Sequence, residues 1–226
     1  MLVDTSHSPH ARLRSVPLTD VHWTGGFWGE QFARCHQTMI PNIWQLLADP
    51  AISHAYTNFR IAAGYETGNH RGPQWNDGDF YKWLEGVAAV YAVTKDPELD
   101  ALMDRLITLI GEVQRADGYI HTPVIIKQRQ GIAEAERFRE RLDFETYNLG
   151  HLMTTACVHY RATGKTTLLD LARKAADYLY HFYIESSPEL ARNAICPSHY
   201  MGVIELYRTT REPRYLELGR NLVEIW

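Results

Sequence analysis

Apolar positions recur with a helical period from Phe27 almost to the end of the chain, and the polar residues between them mark where each helix starts and stops. The pattern predicts helices over 27–48, 78–94, 97–115, 146–162, 166–184, 198–210 and 214–226, with a shorter one near 53–63. Pro50, Pro97 and Pro213 stand at these boundaries, where a proline opens or ends a helix without removing an internal hydrogen bond. Residues 1–20 have no period and read as an arm laid across a domain formed by 21–226. Only 117–143 resists a helical reading. It opens with Asp117-Gly118-Tyr119, passes a β-branched run around Val124 and Ile126, and turns strongly charged, as a long functional connection does.

An internal repeat organises these helices. Tyr91-x-x-Thr94-x4-Leu99 recurs as Tyr160-x-x-Thr163-x4-Leu168 and again as Tyr207-x-x-Thr210-x4-Tyr215. Each copy straddles a helix end, a short turn and the next helix, so the unit is a helical hairpin. The second arms (97–115, 166–184, 214–226) carry a charged face and an apolar stripe, and so meet water. The first arms are nearly free of charge: Thr146 to Tyr160 and Gly86 to Thr94 hold no Asp, Glu, Lys or Arg, and Ser198 to Tyr207 holds only Glu205. A helix without a charged face is buried all round or lines an enclosed cavity. Alternating buried and exposed helices describe an all-α fold, an (α/α)6 toroid in which inner helices ring a central funnel. An α-solenoid is the alternative, but its repeats are more evenly spaced. Three hairpins and an N-terminal helix pair make about half of such a barrel. The expectation is therefore an incomplete toroid, the N-terminal portion of a longer protein.

Composition narrows the function classes. The chain is 45% hydrophobic and 22% charged with a net charge of −4, which is globular and excludes a general electrostatic attraction for nucleic acid or anionic lipid. The longest charge-free stretch is too short and too polar to span a bilayer, and the start has neither a basic nor an apolar leader region. Cys35, Cys157 and Cys196 are widely spaced and odd in number, so a reducing, cytoplasmic location is expected.

Candidate chemistry gathers at the starts of two first-arm helices. Arg71-Gly-Pro-Gln-Trp75-Asn76-Asp77-Gly-Asp79 packs acids and an amide beside large aromatics, the make-up of a ligand pocket. Capping of the helix by Asn76, Asp77 or Asp79 is the other reading. Glu145, Tyr147 and His151 open the next such helix. His151 lies about 190° from the centre of its apolar stripe, and Tyr147 lies one turn earlier on the same side. That side carries Thr154, Thr155 and Val158 and no charge, as a funnel wall would; a packing histidine is the alternative. Glu145 is a candidate acid, hydroxyl-binding group or cap. Cys196-Pro-Ser-His199 has a C-x2-H spacing, but two ligands do not make a zinc site, and His151, Cys157 and His159 do not share a helix face. No metal site is expected in this chain, and no phosphate loop or nucleophile elbow occurs.

An ordered series of motifs resembles glycoside hydrolase family 127, the β-L-arabinofuranosidase-like group. It comprises Gly26-Phe27-Trp28, Asn58-Phe59-Arg60, the Arg71 to Glu85 stretch ending in Lys82-Trp83-Leu84-Glu85, and Asp117-Gly118-Tyr119. It continues with Glu145-x-Tyr147-x-x-Gly150-His151-Leu152, His159-Tyr-x-Ala-Thr-Gly-Lys165, Glu205-Leu-Tyr-Arg208 and Arg214-Tyr-Leu216. The match runs from about residue 20 to the end. Two departures, Phe144-Glu145-Thr146-Tyr147 for the usual His-Glu-Leu-Tyr and Cys196-Pro-Ser-His199 for the usual Gly-His-Pro-Glu, point to a divergent branch. The resemblance implies an (α/α)6 barrel that hydrolyses terminal sugar linkages of plant-derived glycans, typically β-L-arabinofuranosides. It also implies a cysteine nucleophile in a zinc cluster and a glutamate acid/base, both in the later half of the barrel and beyond Trp226. Zinc is thus expected only in the full-length protein. What carries over is sugar-binding wall: His151, then Asp77, Asp79, Glu145 and His199, with Trp75 and Tyr147 beside them. A carbohydrate is the expected partner, and self-association into a homo-oligomer is expected because inner apolar helices would be left open. Another toroid enzyme (an epimerase or an unsaturated glucuronyl hydrolase) and a non-catalytic glycan- or protein-binding scaffold are the competing readings.

Overall fold

A computed structural model describes residues 3–132, 135–193 and 198–225; Cys196 lies outside these, as does the side chain of His199. Helices α1 (Gly26–Arg34) and α2 (Ile40–Ala48) form one continuous rod in place of the single helix expected over 27–48, joined by a π-helical stretch at Cys35–Met39. Pro41 explains the interruption: it has no N–H for the carbonyl one turn back, and widening the preceding turn removes that demand. Helix α3 (Ala55–Ala63) ends at Gly64, whose φ of 92° suits a glycine.

The three predicted hairpins follow: α4 (Asn76–Thr94) with α5 (Pro97–Val113), α7 (Glu145–Thr163) with α8 (Thr167–Glu185), and α10 (Ser198–Thr210) with α11 (Pro213–Ile225). Two further helices, α6 (Thr122–Arg129) and α9 (Pro188–Asn193), lie where the sequence pattern shows none. Helix α6 falls within 117–143, the segment that resists a helical reading as a whole. The first five residues of the helix, Thr122 to Ile126, are all buried, and a stretch buried on every side has no amphipathic period to detect.

Helix α4 packs on α7 and α7 on α10 to form an inner layer, while α5 packs on α8 and α8 on α11 outside them. This is the arrangement of a toroid, with one apolar core running between the layers. The repeat has a physical cause. Thr94, Thr163 and Thr210 each donate to the carbonyl four residues back and accept the N–H of the residue two ahead, Asp96, Lys165 and Glu212. The residue between, Lys95, Gly164 or Arg211, takes a left-handed conformation that stops the inner helix. Neighbouring hairpins are then tied at the turns. Lys95 Nζ donates to the Ala162 carbonyl at 2.9 Å, capping α7, and Lys165 pairs with Asp100 and Asp104 on α5.

Inner helices approach most closely at glycines. A Cβ on Gly202 of α10 would stand 2.4 Å from the Gly150 carbonyl oxygen of α7, and one on Gly78 of α4 would stand 2.7 Å from Asn148 Oδ1. No helix among the described residues is long and apolar enough to cross a membrane.

Candidate functional site

The free side of the inner layer is an open channel. Its wall is built from one stripe of each inner helix: Lys82 and Glu85 from α4, His151, Thr154 and Val158 from α7, and Met201, Ile204 and Arg208 from α10; Asp79 and Tyr147 join it at the edge through Lys82. Spacings of three and four residues keep each stripe on one helix face. Two connected cavities open on it. One, of about 270 Å³, is lined by Lys82, Glu85, His151, Thr154 and Met201. The other, of about 570 Å³, is more apolar, with Val158, Tyr200, Met201 and Ile204, and ends at Glu205, Arg208 and Val3 of the N-terminal arm. There Glu205 pairs with Arg161 at 2.6 Å and Arg208 at 3.2 Å and accepts the Asp4 N–H.

The structure divides the candidate residues into two groups. His151 lines the channel, Asp79 and Tyr147 meet Lys82 at its edge, and Trp75 stands exposed beyond them. Trp75 is 42% exposed and meets Phe144 edge-on, Phe144 meets Tyr147, and Tyr147 meets His151 at a ring separation of 4.5 Å. Lys82 ties the polar end together, with Nζ 2.7 Å from the Tyr147 hydroxyl and 2.7 Å from Asp79 Oδ1.

Asp77 and Glu145 lie behind the wall instead. Asp77 is 1% exposed, and both its oxygens are taken by Thr122, from the N–H at 2.7 Å and the hydroxyl at 2.6 Å. It fastens the start of α6 to the start of α4. Glu145 is also buried and accepts from the Tyr119 hydroxyl and, at 2.5 Å, from the Phe138 N–H. It holds the 117–138 connection against α7. Asn148 completes the scaffold: its Oδ1 accepts from Gly78 N at 2.8 Å, and its Nδ2 donates to the Gln74 carbonyl and His121 Nδ1. Asn58 clamps both backbone groups of Arg71. These contacts set the loop that carries Trp75.

Burial is the main electrostatic influence in the channel. It lowers the pKa of His151 to about 4, aided by the Lys82 charge and opposed by Asp79, so the imidazole is neutral at pH 7. Burial raises Glu85 against the pull of the Thr154 and Thr155 hydroxyls. Partial burial pulls Lys82 down, but its bonds to Asp79 and Tyr147 outweigh this and leave it raised. The polar end thus presents a cation, a carboxylate, a phenol and a neutral imidazole beside aromatic edges. Such a set can hydrogen-bond a polyhydroxylated ring and stack on its apolar face. Among the described residues, no group of three His, Cys, Asp or Glu side chains could hold a metal ion. Burial raises the Cys157 thiol to about 12, so it is not a thiolate.

The sequence pattern puts Thr154 and Val158 on the wall, as found, but does not single out Lys82, Glu85 or Met201. The stripes themselves were the available signal: 75, 79 and 82 on one helix repeat the spacing of 147, 151 and 154 on the next.

Fold and wall together describe part of a helical toroid with a polar, aromatic-edged channel. Residues 20–225 match the model of the β-L-arabinofuranosidase, GH127 catalytic domain. The chain belongs to glycoside hydrolase family 127. A non-reducing end β-L-arabinofuranosidase of Bifidobacterium longum subsp. longum is 32% identical over 220 residues, which is 89% of this chain and 33% of that protein. The crystal structure of a GH127 β-L-arabinofuranosidase from Geobacillus stearothermophilus T6 superposes with a TM-score of 0.80 at 32% identity, over 91% of this chain and 32% of that one. A glycoside hydrolase structure 49% identical to this chain gives a TM-score of 0.67, over 99% of this chain and 29% of that one. The chain therefore spans about a third of the length of the relatives it matches.

Proposed function

We propose that this chain forms the sugar-holding wall of a glycoside hydrolase that removes non-reducing terminal sugars, β-L-arabinofuranose foremost, from plant-derived glycans. The observation that carries the reading is the facing of α4 and α7 across one cavity: Lys82, Glu85, His151 and Thr154 line it, Lys82 holds Asp79 and Tyr147 at its edge, and Tyr147 meets His151 ring to ring. The β-L-arabinofuranosidase activity of the similar B. longum and G. stearothermophilus proteins supports the sugar. In this reading the bond-cleaving groups, with any zinc they require, belong to segments outside these 226 residues. The chain's own part is to bind and orient the sugar. Neutral His151 can donate from one ring nitrogen and accept at the other, which suits a hydroxyl group. Cys35 and Cys157 are unpaired thiols, which suits the cytoplasmic location.

The test is hydrolysis of a p-nitrophenyl glycoside panel by the full-length protein, with the β-L-arabinofuranoside included. Release of nitrophenol from that substrate, reduced about 10- to 100-fold in kcat/KM by His151→Ala, is the expected result. Turnover of a different terminal sugar would move the substrate and keep the class. Inertness toward the whole panel would remove the glycosidase reading.

A further inference from the structure

We infer that Lys82 is a positioning and specificity residue of the sugar site: it fixes the Tyr147 hydroxyl as a donor aimed at a neutral vicinal diol. The inference rests on the glycosidase reading above. An ammonium can only donate. With Lys82 Nζ 2.7 Å from Tyr147 Oη, one lone pair of the phenol is occupied by an N–H, and the phenol keeps its own proton for another partner. Among the described residues that proton meets no acceptor. Asp79, 2.7 Å from Nζ, takes a second ammonium proton and stops the lysine from swinging away. The third ammonium proton remains. Lys82 and Tyr147 thus offer two adjacent donors at the edge of the 270 Å³ cavity that Lys82 and His151 both line.

The orientation is over-determined. The Lys82 ammonium stands 5.2 Å from the centre of the Tyr147 ring, and that ring meets the His151 ring at a centroid separation of 4.5 Å and an angle of 73°. A Cβ on Gly78 would lie 2.8 Å from Tyr147 Cε1, so α4 backs directly onto the ring. A phenol held by a cation on its oxygen is a stronger donor than a free one. Two donors side by side, with a neutral imidazole one turn further along α7, match adjacent sugar hydroxyls, each able to accept from one group and donate to the next. The same donors repel a cationic ligand. A surface ion pair between Lys82 and Asp79 alone would contribute little to stability, so the arrangement is better explained by what it presents than by what it holds together.

The experiment is a double-mutant cycle in the full-length protein, on whichever furanoside of the panel the wild type hydrolyses best. Lys82→Met and Tyr147→Phe are each expected to raise KM roughly ten-fold with a smaller change in kcat. The double variant is expected to lose less than the sum of the two single losses, because Lys82→Met already misplaces the donor that Tyr147→Phe removes. Lys82→Arg should recover most of the loss, and melting temperatures should stay within about 2 °C of the wild type. An unchanged KM in Lys82→Met, or strictly additive losses in the double variant, would overturn the role of Lys82 while leaving the glycosidase reading intact. A wild type inert toward the panel would overturn both.

Discussion

Two aspartates separated by one glycine, Asp77 and Asp79, do opposite jobs. At 100° per residue, positions two apart on a helix point about 200° from one another, so one must face the core if the other faces the channel. Asp77 gives both oxygens to Thr122 in a dry site. Asp77→Ala would leave a buried N–H and hydroxyl without partners, at a cost of about 2–3 kcal/mol. Its expected signature is a melting temperature lower by several degrees in calorimetry, with KM little changed in the fraction that remains folded. Asp79→Ala should show the reverse: a normal melting temperature and a raised KM. The sequence marks both acids as candidates because both sit among aromatics, and nothing local says which way the helix is turned. For the same reason Glu145 reads as a pocket acid, although Tyr119 and Phe138 enclose it. Lys82 is obscured in the opposite sense: a charged residue in a helix suggests bulk water, and only the neighbouring Tyr147 makes it part of a wall.

The inner helices show how much of an element its pattern encodes. The scarcity of charge along 86–94 of α4, 146–160 of α7 and 198–207 of α10 marks these helices as inner, and the Tyr-x-x-Thr repeat marks their ends, because Thr94, Thr163 and Thr210 perform one hydrogen-bonding task. What the pattern does not carry is separation. Gly150 and Gly202 read as ordinary helix glycines, yet they let two backbones nearly touch. Gly202→Ala would force α7 and α10 apart, since the new methyl meets backbone rather than a side chain that can move aside. A destabilisation of about 1–3 kcal/mol, read as a lower denaturation midpoint in urea, is expected. Because this seam also sets the distance from His151 to Met201, binding should weaken with it. Helix α6 escapes detection for a related reason: Val124, Ile125 and Ile126 are all buried, so the packing that decides its conformation is tertiary.

At the scale of the molecule, three histidines give stability a definite dependence on pH. Burial first, and nearby cations in part, lower His70, His151 and His159 from the ordinary 6.5 to about 4. The unfolded chain therefore binds more protons between about pH 6.5 and pH 4, and stability falls as pH drops through that window. Glu85 and Glu145, raised by burial, act in the opposite direction near its acid end. The net expectation is a melting temperature about 5 °C or more lower at pH 5 than at pH 7; a flat profile would mean that these imidazoles are solvated. The turns that close the hairpins bear on how such a ring is made. Each turn is finished within its own hairpin, and Lys95 already reaches forward to the carbonyl that will end α7. The hairpin of α4 and α5 leaves the ribosome before that of α7 and α8 and carries a seat for it, so that assembly can advance with synthesis like masonry laid course upon course.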